Sequence, residues 1–162
     1  MAGPGRENSA FSRKESPWPP EAKMKLHHIG KVVKNLDEAI AYHKETFGIE
    51  PIGERVIDPI QKVEVAVLNT GYGSELTLEL ISPVSADSPV NKFLKKGGGL
   101  HHLSFEVEDI HRAIEEFREK GALILGDVVP SKGHKDIPSV WLYTRSRELI
   151  ELMQKQKRKD RE

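Results

Sequence analysis

Two histidine pairs stand out among the residues able to do chemistry, Leu26-His27-His28-Ile29 and Leu100-His101-His102-Leu103. The offset between them, 100 − 26 = 74, also lays Val33 over Val107, Asn35 over Asp109, Leu36 over Ile110, Ala39 over Ala113 and Ile40 over Ile114. Two carboxylates set between apolar residues repeat as well. Leu78-Glu79-Leu80 lies over Ile150-Glu151-Leu152 at an offset of 72, so the second copy has lost two residues net, as loop trimming permits. Self-similarity over this span marks a duplicated module. Imidazole and carboxylate are ligands for zinc, cobalt, nickel or manganese, and each module offers one set. The chain has no cysteine, which excludes thiolate ligands, thiolate catalysis and disulfides.

Alternation along strands sorts the candidates. Side chains two apart share a face. His102 shares its face with Ser104 and Glu106, whereas His101 goes with Leu103, Phe105 and Val107. His102 is therefore expected on a polar, concave surface and His101 against helices, with His28 and His27 following by the repeat. Leu76, Leu78 and Leu80 fill one face of their strand and leave Glu79 on the other with Thr77 and Ile81; Glu151, between Ile150 and Leu152, is placed alike. An unpaired carboxylate in such a strand costs several kcal/mol to bury, and a cation relieves that cost. A lone His pair or a lone strand Glu also reads as a structural or solvent-facing feature. What favours a divalent metal site at His28, Glu79, His102 and Glu151 is that both features recur in matched positions. Glu64 is read as a further residue facing the cavity, with Ala66 and Leu68, while Val63, Val65 and Val67 take the opposite face.

These residues need elements to hold them. Asn35 or Asp37 can cap a helix carrying Leu36, Ala39, Ile40 and Phe47 and ending at Gly48; Asp109, Ile110, Ala113, Ile114 and Phe117 repeat it up to Gly121. Strands are expected around 51–57, 61–69 and 75–83, and around 123–129, 138–144 and 147–154. Each half reads β-α-β-β-β, with a short helix near Pro89 to Lys96 and the break Gly97-Gly98-Gly99 between them. The expected class is α+β, two modules paired into a curved, partly open sheet that encloses the metal.

At 162 residues the chain suits one domain. Residues 1–23, rich in proline and charge, are expected to be a disordered tail, 24–154 the domain, with modules at about 24–84 and 98–154, and 155–162 a charged, solvated end. Lys plus Arg and Asp plus Glu are both 25, so no net charge favours nucleic acid or an anionic membrane as partner. No apolar run reaches the roughly 18 residues of a membrane span, and no signal-peptide core is present, so a cytoplasmic protein is expected.

On these residues the chain resembles the vicinal oxygen chelate superfamily and, within it, the methylmalonyl-CoA epimerase family. The resemblance runs from about Lys25 to Gln154 and is carried by Leu26-His27-His28-Ile29-Gly30, by Leu78-Glu79-Leu80-Ile81-Ser82-Pro83 with Asp87-Ser88-Pro89-Val90, by Lys92-Phe93-Leu94, and by Gly99-Leu100-His101-His102-Leu103. It implies ligands at His28, Glu79, His102 and Glu151, a small-molecule substrate such as an acyl-CoA, a homodimer, and abstraction of an α-proton next to a thioester. Glu151 would act as base by loosening from the ion, and Glu64 matches a carboxylate that some epimerases carry. Four protein ligands leave positions open on an octahedral cobalt, nickel or manganese ion. A glyoxalase-type lyase, another metal-dependent member and a non-catalytic binding protein are the alternatives. The chain departs from the epimerase pattern at Ser131-Lys132-Gly133-His134-Lys135-Asp136 and Thr144-Arg145-Ser146-Arg147. His134 and Lys135 read as a charged surface loop. Lys95, Lys96, Arg145 and Arg147 read as solvated, and Trp141 and Tyr143 as packing for the last sheet.

Overall fold

The computed structural model describes residues 24–71 and 73–157; the expected tail at 1–23 and the end at 158–162 lie outside them. The first half is β1 (Met24–Val32), α1 (Leu36–Phe47), β2 (Val56–Asp58), β3 (Val63–Asn69) and β4 (Thr77–Pro83). A short α2 (Asn91–Lys95) leads to the second: β5 (Gly99–Val107), α3 (Ile110–Glu119), β6 (Leu123–Ile124), β7 (Val129–Ser131), a 3-10 turn (Lys132–His134), β8 (Ile137–Tyr143) and β9 (Leu149–Gln154). Matched side chains cap both long helices. Asn35 accepts from the Glu38 amide at 3.1 Å and Asp109 from the Arg112 amide at 3.0 Å, each satisfying a donor that the first turn leaves over.

All strands join one mixed sheet in the order β2-β3-β4-β1-β5-β9-β8-β6, with β7 also on β8, curled into a half-barrel. Its centre is the antiparallel pair β1–β5, and each of these strands runs parallel to the last strand of its own module, β4 or β9. The two modules therefore meet within a single chain. Apolar residues of the outer face bury under the helices: Leu36, Ala66, Leu68 and Leu80 around α1, and Val107, Ile110, Ile114, Val140, Leu142, Ile150 and Leu152 around α3. The opposite face is concave, with Val32, Val63, Val65, Ile81 and Val90 packed at one end.

Two expectations change. The strands expected at 51–57 and 123–129 are each interrupted. Pro51 bridges Leu68 before β2 begins, and β6 stops before β7 starts; the breaks fall at Gly53 (φ 72°) and Gly126 (φ 103°), in a backbone region that glycine enters without strain. The strand centre also departs from alternation. The β1–β5 register skips His27 between Leu26 and His28, and skips His101 between the pairs Gly30–His102 and Lys31–Leu100. Each first histidine is thus the extra residue of a β-bulge, which bends the strand locally and re-aims the side chain.

Candidate metal centre

The four expected ligands meet on the concave face at the seam between modules. His28 Nε2 lies 3.1 Å from His102 Nε2, 3.2 Å from Glu79 Oε2 and 3.2 Å from Glu151 Oε2; His102 Nε2 lies 3.5 Å from Glu79 Oε2. Donors held about 2.1 Å from one ion stand roughly 3.0 Å apart at a right angle and roughly 3.4 Å apart at the tetrahedral angle. The three spacings from His28 fall in that range, and the 3.5 Å from His102 to Glu79 lies just beyond it. All four side chains are buried, with 0% exposure at His28 and 2% at Glu151. The His28–Glu79–His102 group is spaced to hold an ion, and Glu151 joins it through His28.

Local folding explains each placement. β1 and β5 bring His28 and His102 together because Gly30 pairs with His102, and a Cβ at Gly30 would stand 2.0 Å from that imidazole ring. No larger residue fits there. Glu79 shares its face with Ile81 while Leu78 and Leu80 go under α1; Glu151 faces inward while Ile150 and Leu152 go under α3. Two buried hydroxyls beside His28 in the register, those of Thr77 and Ser104, have no hydrogen-bond partner among the described residues.

The electrostatics call for positive charge. Burial alone pushes the His28 imidazolium down, but the bonds to Glu151 and Glu79 outweigh it and hold the group up, at about 9. Burial likewise raises the Glu79 carboxyl, yet His102, His134 and His28 hold it well below the usual carboxylate range. Glu151 is also lowered, against its burial, by the bond to His28. Two desolvated carboxylates thus favour positive charge beside them, and the donor set is of the kind that fits a divalent ion. His27 and His101 behave oppositely: burial, and then the neighbouring His28 or His102, press each down to about 4.

Glu64 is not brought into the centre. β3 pairs Glu64 with Ser82 and Ala66 with Leu80, so it takes the face under α1, where Arg55 Nη1 lies 4.0 Å from its carboxylate. Val63 and Val65 line the concavity instead. The expected alternation along β3 holds, with the two faces exchanged. Lys95, Lys96, Arg145 and Arg147 are exposed, as expected, whereas Tyr143, expected to pack the last sheet, is exposed as well.

Three expectations fail at the site itself. His134 is no surface residue: it is 9% exposed, its ring stacks on His28 at 4.4 Å, and its Nε2 lies 3.2 Å from Glu79 Oε1. Trp141 turns inward and meets the His102 ring edge-on at 4.6 Å; its register partner Glu151 faces the same way. His27 does not pack against a helix but lies against His28 and His134, whereas His101 does meet Phe93 of α2, at 4.9 Å, while still lining the concavity. The alternation Ser139-Val140-Trp141-Leu142 carries the signal that places Trp141. A loop residue such as His134 has no periodicity to read.

Paired β-α-β-β-β modules with a His and a Glu from each on the inner face define a vicinal oxygen chelate protein. The model of the glyoxalase/bleomycin resistance protein/dioxygenase superfamily matches residues 27–139. A mitochondrial methylmalonyl-CoA epimerase of Dictyostelium discoideum is 35% identical over 136 residues, spanning 81% of this chain and 78% of that protein. An ethylmalonyl-CoA/methylmalonyl-CoA epimerase of Cereibacter sphaeroides is 33% identical over 121 residues, 74% of this chain and 87% of the relative. A solved structure of a Streptomyces coelicolor methylmalonyl-CoA epimerase variant with 2-nitronate-propionyl-CoA superposes with a TM-score of 0.71 at 28% identity, covering 82% of this chain and 97% of the other. The chain belongs to this superfamily and, within it, to the methylmalonyl-CoA epimerase family.

Proposed function

We propose that this protein inverts the α-carbon of a 2-carboxyacyl-CoA thioester of the methylmalonyl-CoA kind, at a centre made by His28, Glu79, His102 and Glu151. The observation that carries the reading is the convergence of these four side chains, His28, Glu79 and His102 with facing atoms 3.1–3.5 Å apart and Glu151 3.2 Å from His28, in a chain whose relatives include methylmalonyl-CoA epimerases. A divalent ion held there supplies a Lewis acid toward the thioester carbonyl oxygen, which lowers the cost of removing the neighbouring proton. Four protein ligands suit cobalt, nickel or manganese, which keep further positions open.

The chain's own residues then move the proton. Glu151 is the base, because its carboxylate is held by His28 alone among the described residues, whereas Glu79 is held by His28, His102 and His134. A carboxylate with one partner turns toward a substrate at the smallest cost. Inversion also needs a proton carrier on the other side of the reacting plane. Glu64 is on the α1 face of β3, so that role passes to Asp58, the remaining carboxyl among the described residues that line the concavity; its Oδ1 accepts from the Ile60 and Gln61 amides. A homodimer would be a matter of assembly and not of the site, since β1 and β5 pair within one chain.

Incubation with methylmalonyl-CoA in deuterated water tests the reading. Label should enter at the α-carbon of both epimers. Tight binding without label would favour a sequestering protein, and conversion of a hemithioacetal without label in the thioester would favour a glyoxalase-type lyase.

A further inference from the structure

Three of the four inner residues have a second polar atom engaged away from the centre. His28 and His102 turn Nε2 inward, and their Nδ1 atoms lie 2.9 Å from His27 Nδ1 and 3.0 Å from His101 Nδ1. Glu79 turns Oε2 toward the two imidazoles, and its Oε1 lies 3.2 Å from His134 Nε2. We propose that His27, His101 and His134 are positioning residues, an outer shell of imidazoles that fixes the tautomers of His28 and His102 and the orientation of Glu79 for the ion. This rests on the metal-centre reading above.

An imidazole that ligates through Nε2 carries its proton on Nδ1, and that N–H needs an acceptor once buried. A neutral His27 or His101, protonated at Nε2, presents its Nδ1 lone pair there. The bulges are what make this possible. Under strict alternation, neighbouring histidines would point to opposite faces; the extra residue in each strand brings the two Nδ1 atoms within bonding distance, in the same way in both modules. A carboxylate acceptor would add charge beside Glu79 and Glu151, whereas an imidazole fixes the tautomer and leaves the charge unchanged. At Glu79 the polarity reverses: the carboxylate accepts and His134 Nε2–H donates, with the ring held in place by stacking on His28 at 4.4 Å.

His27, His28 and His134 also come close enough to one another to hold an ion of their own. Their facing nitrogens are engaged, however, His27 Nδ1 with His28 and His134 Nε2 with Glu79. Both groups draw on His28, so one ion is expected among the described residues.

The test is cobalt(II) titration of the full chain, read by affinity, stoichiometry and the ligand-field absorption of the bound ion. The parent should bind one cobalt. His27→Phe, His101→Phe and His134→Phe should each bind about 10- to 100-fold more weakly with a shifted absorption band, the usual effect of losing an outer-shell partner. His27→Asn and His101→Asn put Oδ1 where Nδ1 accepted, and His134→Gln puts an amide N–H where Nε2 donated; these three should recover most of the affinity and the parent spectrum. Where a Phe variant does not fold by circular dichroism, Leu at that position takes its place. The proposal is overturned if the folded Phe or Leu variants bind cobalt as the parent does, if Asn and Gln recover nothing, or if two cobalt ions bind per chain. Should His28→Ala lose cobalt while the outer variants keep it, the outer shell alone falls. A parent that binds no cobalt, or a His28→Ala variant that binds like the parent, overturns the metal-centre reading and this inference with it.

Discussion

The two modules repeat each other closely around the seam, and the places where they differ concern the reaction. His28 and His102, each bonded to a bulged neighbour, are near copies. At an offset of 74, however, Gly30 answers to Ser104, and Val67, which pairs with Glu79, answers to Trp141, which pairs with Glu151. The first module also receives His134 from the second, so that among the described residues Glu79 has three imidazole partners and Glu151 one. Symmetry builds the cluster, and in the proposed mechanism its loss is what gives one carboxylate the task of holding and the other that of reacting.

Changes on the symmetric part should have the largest effects. His28→Ala or His102→Ala should abolish metal retention and activity together, as measured by elemental analysis of purified protein; parent-like metal content in both variants would end the claim. Next come the unequal carboxylates. Glu151→Gln should lower α-proton exchange by about 10²- to 10⁴-fold, the usual contribution of a general base, and exchange that persists at the parent rate would remove the base from β9. Asp58→Asn should spare exchange from one epimer and slow inversion, which is read by following label and stereochemistry in the same sample. Gly30→Ala asks whether the smaller partner across the seam is needed: a methyl group driven into the His102 ring should cost about 1–3 kcal/mol of stability in denaturant unfolding and weaken the metal as well. Glu64→Gln should be the mildest, within about 0.5 kcal/mol and with activity retained, because its side chain shares a face with Ala66 and Leu68 and not with Glu79.

Much of this was legible in the residues. The duplication, the cap at Asp109, a cap at Asn35 or Asp37 and the inward turn of Glu79 and Glu151 follow from spacing alone, because helix and strand periods are local properties. Glu64 shows where that stops. Alternation says which residues share a face, but both faces of β3 are apolar, and which of them meets α1 is decided by the curl of the sheet. His27 and His101 resist for a related reason: a bulge suspends the alternation on which the inference depends, and it is visible only in the register with the partner strand. His134 reaches Glu79 from 55 residues further along the chain through an irregular turn, a contact for which no local pattern exists.

The position of the centre on the β1–β5 seam has a mechanical consequence. His28 and Glu79 come from one module and His102 and Glu151 from the other, so an ion bound to all four would tie together segments more than 120 residues apart in a chain that has no cysteine to form a covalent tie. Loops of that length gain most from closure in the unfolded state. Amides of β1 and β5 should therefore exchange with solvent together, and more slowly with metal present than without, while those of the edge strands β2 and β6 hardly respond. Hydrogen exchange with and without chelator would show whether the ion that serves the chemistry also locks the two modules together.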